Sequence, residues 1–317
     1  MAVISASRRT DIPALYGDWF MKRLAEKSFV VRNPYNPKQI SHITFKKEDI
    51  DCIVMWTKNP IPFFKHLDKL SEYPFYFQFT ITPYGKQIEP CLPDKDTLAD
   101  AFVELSQRTN KRVIWRYDPI VFNKDFTPDW HKEAFAYYAQ KLKGSTDRCV
   151  ISFVDTYDNN RYSLSQIGEH KLDVQKLEEF CLELSQIGKE NGMQLYTCAE
   201  VIDYEKAGVK RGRCIDPDYI ESICGYPLKS SKDAAQREAC GCMESVEIGA
   251  YNTCTNGCRY CYATKNRNLI PSTVKKYDIN SPALCDTIYE FEHMTERKLR
   301  SLRDYKKEEN EMQITLF

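Results

Sequence analysis

The 317-residue sequence contains no apolar stretch approaching the ~20 residues needed to span a bilayer, which excludes a transmembrane helix within it. Its first nine residues, Met1 to Arg9, hold an apolar run too short for a signal peptide, and no cleavage region follows, so the chain is expected in the cytoplasm. A charge of one sign is also missing. Forty-five Lys and Arg balance forty-five Asp and Glu, so no global field draws the protein to nucleic acid or membrane, and any basic surface must be local. Histidine is scarce: His42, His66, His131, His170 and His293 all lie away from the cysteines, which argues against a Cys2His2 zinc finger. The G-x-G-x-x-G turn that marks many open doubly wound sheets does not occur. What is abundant is apolar and sulfur-bearing. With 42% hydrophobic residues the chain can bury a large core, as one barrel-sized domain or two smaller ones.

Thirteen cysteines, an odd number crowded toward the last third, do not look like a secreted disulfide framework. Cys52, Cys91, Cys149, Cys181, Cys198 and Cys285 are scattered and read mostly as small buried hydrophobes. The seven from Cys214 to Cys261 point instead to metal.

Short β-branched and aromatic runs alternate with amphipathic stretches. Strands are expected at Ala2–Ser7, Phe29–Arg32, Cys52–Trp56, Phe75–Thr82, Val113–Tyr117, Cys149–Asp155, Gln194–Cys198 and Val246–Tyr251. Helices are expected at Leu15–Glu26, Pro62–Leu70, Thr97–Arg108, Asp129–Leu142, Val174–Glu190 and Asp218–Cys224, with a closing helix over Ser281–Arg303. Strand then helix, repeated about eight times, predicts an α/β fold of the (β/α) TIM-barrel type, spanning 1–305 as one domain. Residues 306–317 read as a charged linker, Lys306–Glu311, and an apolar terminal peptide.

A barrel places its chemistry at the C-terminal ends of its strands. Polar residues gather there: Arg8, Arg9 and Asp11 after the first strand, Lys58 and Asn59 after the third, Arg116 and Asp118 at the fifth, Asp155 at the sixth and Glu200 at the seventh. Taken singly, each is more simply a strand-end polar residue or a helix cap. As a set they mark a rim, and they are the candidates for holding a cofactor or substrate.

Cys254, Cys258 and Cys261 form C-x3-C-x2-C with Tyr260 before the last cysteine, and Gly257 permits a tight turn between them. Three soft thiolates suit an iron–sulfur cluster or zinc. Closed structural zinc sites usually take four ligands, so three leave one metal position open. This motif resembles that of the radical SAM superfamily. The resemblance implies a 4Fe–4S cluster on these three cysteines, with S-adenosylmethionine on the open iron and an external electron donor. One electron would then release a 5′-deoxyadenosyl radical. The wider pattern is similar to an uncharacterised bacterial family, DUF1848: Ser5 to Pro13, Trp56-Thr57-Lys58-Asn59-Pro60, Tyr117-Asp118-Pro119, and the run from Cys240-Gly241-Cys242 to Cys261. That resemblance covers nearly the whole chain and implies no activity of its own.

In the superfamily the cysteine loop follows the first barrel strand, whereas here it follows the last. A circularly permuted barrel reconciles the two, placing Val246–Tyr251 beside Ala2–Ser7 and Arg8–Asp11 beside the cysteines. Cys214, Cys240 and Cys242, with Cys224 as a candidate fourth ligand, are read as a second iron–sulfur cluster, with zinc as the alternative. The terminal Gln313-Ile314-Thr315-Leu316-Phe317 resembles the peptide by which bacterial DNA repair and replication proteins bind the sliding clamp. That resemblance implies a nucleic-acid context, for which Arg8, Arg9, Lys206, Lys210, Arg211 and Arg213 are the candidate basic surface. Three functions compete: radical chemistry on DNA, the same chemistry on a small molecule or peptide, and a non-catalytic zinc-stabilised binding module.

Overall fold

A computed structural model describes residues 2–309. Eleven strands are present among them: β1 (Val3–Ser5), β2 (Ser28–Arg32), β3 (Ile40–Thr44), β4 (Cys52–Thr57), β5 (Phe75–Thr80), β6 (Val113–Ile120), β7 (Arg148–Phe153), β8 (Gln194–Cys198), β9 (Lys210–Gly212), β10 (Val246–Glu247) and β11 (Met294–Lys298). Eight of them form one sheet in the order β10-β1-β4-β5-β6-β7-β8-β9. Every pairing within it is parallel. β10 and β9 are its two edges, so the fold is α/β with an eight-stranded parallel sheet.

The helices between strands begin where the sequence supplies a cap. Asp94 accepts from the Asp96 and Thr97 N–H groups ahead of Lys95–Arg108. Thr127 does the same for Pro128–Lys141, and Asp173 for Val174–Glu190, each satisfying an otherwise unpaired amide. The apolar stripes of these helices, including Phe102, Leu105, Phe135 and Leu184, pack on one face of the sheet against Phe77, Phe79, Trp115 and Ile151. Strand residues alternate between faces, so the intervening side chains form a second layer. Val3, Cys52, Val54, Tyr76, Ile114 and Val150 pack there against Ile215, Ile220, Leu228 and Met243. The segment from Cys214 to Met243 therefore covers the face of the sheet opposite the helices.

Several expectations are corrected. Phe29–Arg32 is a strand but lies outside the main sheet: β2 pairs antiparallel with β3, and β3 pairs parallel with β11. β4 pairs directly with β1 in its place, and β9 is the eighth strand, at the far edge beside β8. Ser281–Arg303 is not a helix, because Met294–Lys298 is drawn into β11 by backbone pairing with Ile40–Thr44. Arg32 clamps the approach to that strand through Asp286 at 2.7 Å and Glu292 at 2.6 Å. Of the charged run Lys306–Glu311, residues 306–309 are described, and 306, 307 and 309 are exposed. Residues 305–309 are helical, and Arg303 pairs with Glu308. The expected helix over Pro62–Leu70 is a 3-10 turn, Ile61–His66, followed by one α turn. Among the described residues no helix is long and apolar enough to cross a membrane.

Candidate functional site

β10 pairs with β1, Ile4 opposite Val246, so the cysteine loop that follows β10 emerges beside the loop that follows β1. Three contacts bind the two loops. The Tyr262 hydroxyl donates to the Arg8 carbonyl at 2.8 Å, the Tyr16 hydroxyl to the Thr253 carbonyl at 2.6 Å, and the Asn256 amide to the Asp11 carboxylate at 3.1 Å. Asp11 also accepts from the backbone N–H of Lys58 at 2.8 Å and of Ala14 at 3.1 Å. Its carboxylate is thus occupied in joining the ends of β1, β4 and β10, which makes it a positioning residue.

The far side of the cysteine loop rests on residues 84–95, which sequence reasoning passed over. Glu89 is fully buried there and receives Lys58 Nζ at 2.8 Å, Thr82 at 3.0 Å, and the Lys95 ammonium and Tyr260 hydroxyl. Lys58 Nζ donates to the Tyr260 oxygen as well, at 2.7 Å. Burial raises the Glu89 carboxyl, but the two ammonium groups outweigh it and hold the group at about 2. The aromatic of the cysteine motif is therefore fixed by its hydroxyl. Gly257 adopts φ +73°, and a Cβ there would meet Pro90 Cγ at 2.9 Å, so both conformation and space call for glycine. Asn159 donates to the Tyr262 and Thr264 carbonyls at 2.9 Å, and Arg267 to the Cys258 carbonyl at 2.6 Å, closing the loop from outside.

Cys258 is buried, and Cys254 and Cys261 are partly exposed. Burial pushes the Cys258 thiol up to about 12, against the pull of Lys58 and Lys95. A metal taking this sulfur would have to displace its proton. Among the described residues no three His, Cys, Asp or Glu stand as the ligand shell of a single ion. Cysteines of an iron–sulfur cluster bind separate irons, so they do not share one ion.

The other rim candidates divide. Arg8 donates to Ser245 at 3.1 Å and lies over Trp56, and Arg9 lies over Tyr251. Asn59 caps the turn at Ile61. Arg116 is buried and pairs with Asp118 at 2.9 Å through Nε, while Nη1 reaches Gln78 at 3.2 Å and Cys214 Sγ at 2.9 Å. Glu200 accepts from the Phe153 N–H at 2.9 Å, and burial, with Asp155 and Asp118 nearby, raises it to about 7. Two hydroxyls in the loop after β1, Ser7 Oγ and Thr10 Oγ1, are buried with no hydrogen-bond partner. Unpaired buried polar atoms are costly, by about 1–3 kcal/mol each. A cleft lined by Lys111, Arg112, Asp147 and Tyr219 lies at the opposite, N-terminal ends of β6 and β7.

The second cysteine set is differently composed than expected. Cys214, Cys240 and Cys242 come together, but Cys224 does not join them. Its Sγ points to the Glu221 and Tyr226 carbonyls, because the helix Pro217–Cys224 turns that face toward Cys52. Cys198, read from sequence as a small hydrophobe, lies 3.0 Å from Cys214, sulfur to sulfur. Cys91, given the same reading, is exposed. Of the candidate basic surface, Lys206, Lys210 and Arg211 are exposed, while Arg213 is paired with Asp216 and Asp218. Gln313–Phe317 lies outside the described residues.

Residues 3–263 match a family described as a domain of unknown function (DUF1848). No curated protein and no solved structure matches the chain.

Proposed function

The chain belongs to the DUF1848 family, and from that premise we propose that it is a radical SAM-type enzyme built on a circularly permuted (β/α) barrel. The observation that carries this reading is the position of the C-x3-C-x2-C loop. It stands at the C-terminal end of β10, beside β1, where two buried hydroxyls lack partners. The donor set fits a 4Fe–4S cluster: three thiols, with the ammonium groups of Lys58 and Lys95 facing Cys258 to offset the negative charge of the thiolates. When bound and reduced by an external donor, such a cluster would supply the one electron that cleaves S-adenosylmethionine to methionine and a 5′-deoxyadenosyl radical.

The chain's own residues do the positioning. Asp11 and Asn256 hold the loop against β1, and Glu89 keeps Lys58 and Tyr260 in place beneath it. Ser7 and Thr10 would donate to the co-substrate, and Arg8 and Arg9 would offset the charge of its carboxylate.

Anaerobically purified protein should be brown, contain iron and sulfide, and form 5′-deoxyadenosine from S-adenosylmethionine under reducing conditions. Replacing Cys254, Cys258 and Cys261 with Ala should abolish that product while the protein stays folded. Unchanged cleavage in the triple variant, or zinc as the sole metal of the parent protein, would refute the assignment.

A further inference from the structure

Four cysteines from three separate segments meet on the face of the sheet that Cys214–Met243 covers. Cys198 ends β8, and its Sγ lies 3.0 Å from that of Cys214, in the loop after β9. Cys242 neighbours both Cys214 and Cys240. The Ile215 N–H also donates to Cys242 at 3.4 Å. Cys214, Cys240 and Cys242 are buried.

We propose that Cys198, Cys214, Cys240 and Cys242 are the ligands of a second, four-thiolate soft-metal centre, separate from the C-x3-C-x2-C loop.

Three features favour a metal over four packed thiols. First, a buried guanidinium is aimed at sulfur: Arg116 Nη1 donates to Cys214 at 2.9 Å, and Asp118 occupies only its other edge. A cation buried against sulfur is well matched by thiolate and poorly by neutral thiol. Second, the backbone of the ligand loops is anchored independently of the sulfurs. The Cys214 carbonyl accepts from the Tyr76 hydroxyl at 2.6 Å and from Gln78 at 3.1 Å. Gly241 allows the Cys240–Cys242 turn to lie against Arg213, whose Cγ would be 2.9 Å from a Cβ. Third, four soft donors without histidine are the set that zinc and iron–sulfur centres share.

The sulfurs as they stand are not the shell of a single ion. A zinc tetrahedron with Zn–S of about 2.3 Å has edges of about 3.8 Å, so Cys198 and Cys214 must part by under ~1 Å on loading. Rotation of the cysteine side chains covers that distance while the Cys214 backbone stays held by Tyr76 and Gln78. A disulfide between Cys198 and Cys214 would require the opposite motion, to about 2.05 Å.

The test uses the full chain with Cys254, Cys258 and Cys261 replaced by Ala, purified without oxygen, so its outcome is independent of S-adenosylmethionine cleavage. Elemental analysis should find roughly one zinc per chain, the metal whose sulfur tetrahedron a shift of under ~1 Å completes. Adding Cys198→Ser should remove most of that metal, whereas adding Cys224→Ser should leave it. X-ray absorption at the metal edge of the triple variant, which needs no further substitution, should show sulfur coordination only. A metal-free triple variant, full retention after Cys198→Ser, nitrogen or oxygen ligands, or a Cys198–Cys214 disulfide in the fresh protein would overturn the proposal.

Discussion

Asp11 accepts a hydrogen bond from Asn256 at 3.1 Å across 245 residues of sequence, and a second from the Lys58 backbone at 2.8 Å. One buried carboxylate thus sets the cysteine loop against two strand ends. Asp11→Ala leaves those donors unmet and should cost about 1–3 kcal/mol in chemical denaturation. Asp11→Asn, which keeps an acceptor oxygen, should recover part of the loss. Equal stability of the Ala variant and the parent would show that the contact holds nothing.

Glu89 is the counter-charge for two buried ammonium groups, Lys58 and Lys95. Removing one partner of a buried ion pair strands the other, a loss of about 3–5 kcal/mol. Glu89→Gln should therefore unfold at markedly lower denaturant. Adding Lys95→Met should return some of that stability by removing one stranded charge. If the single variant lies within ~1 kcal/mol of the parent, the pair is not acting as a buried couple.

His131 is buried between Tyr117 and Val121, with Nδ1 2.8 Å from the Tyr117 oxygen and Nε2 3.0 Å from the Val121 carbonyl. Burial lowers its pKa from 6.5 to about 4. The folded protein keeps it neutral where the unfolded chain takes up a proton, so acid favours unfolding. The stabilisation is complete above pH 6.5 and is lost as pH falls toward 4. The loss amounts to at most about 3 kcal/mol. Denaturation across that window should show the slope in the parent, and His131→Gln, less stable at pH 7, should flatten it. An unchanged slope would assign the acid sensitivity elsewhere.

The terminal Gln313–Phe317 is expected to bind a bacterial sliding clamp through Leu316 and Phe317. Two apolar side chains, worth ~1.5–3 kcal/mol each when buried, support an affinity no tighter than about micromolar after ordering costs. Titration with the cognate clamp should lose the interaction on Leu316→Ala/Phe317→Ala. Indistinguishable titrations would remove the argument for DNA as the substrate.

The sequence by itself determined what its near neighbours encode. The bounds of Val174–Glu190 follow from a helical stripe and an Asp cap, and the three-cysteine loop from spacing within eight residues. The adjacency of β1 and β10 was also expected, from the resemblance of the cysteine loop to one that follows a first strand. Partner choice was decided only in three dimensions. Phe29–Arg32 has the pattern of a strand, but nothing in that pattern names its sheet. Met294–Lys298 became a strand because Ile40–Thr44 offered it a ladder, against a reading as helix. Cys198 looked like a small hydrophobe because a lone strand-end cysteine packs like one; its meaning came from Cys214, Cys240 and Cys242 arriving from other segments. Glu89 was hidden for the same reason. Periodicity and caps are short-range properties of the chain, whereas burial, ion pairing and thiol convergence depend on which distant segments the packed sheet brings together.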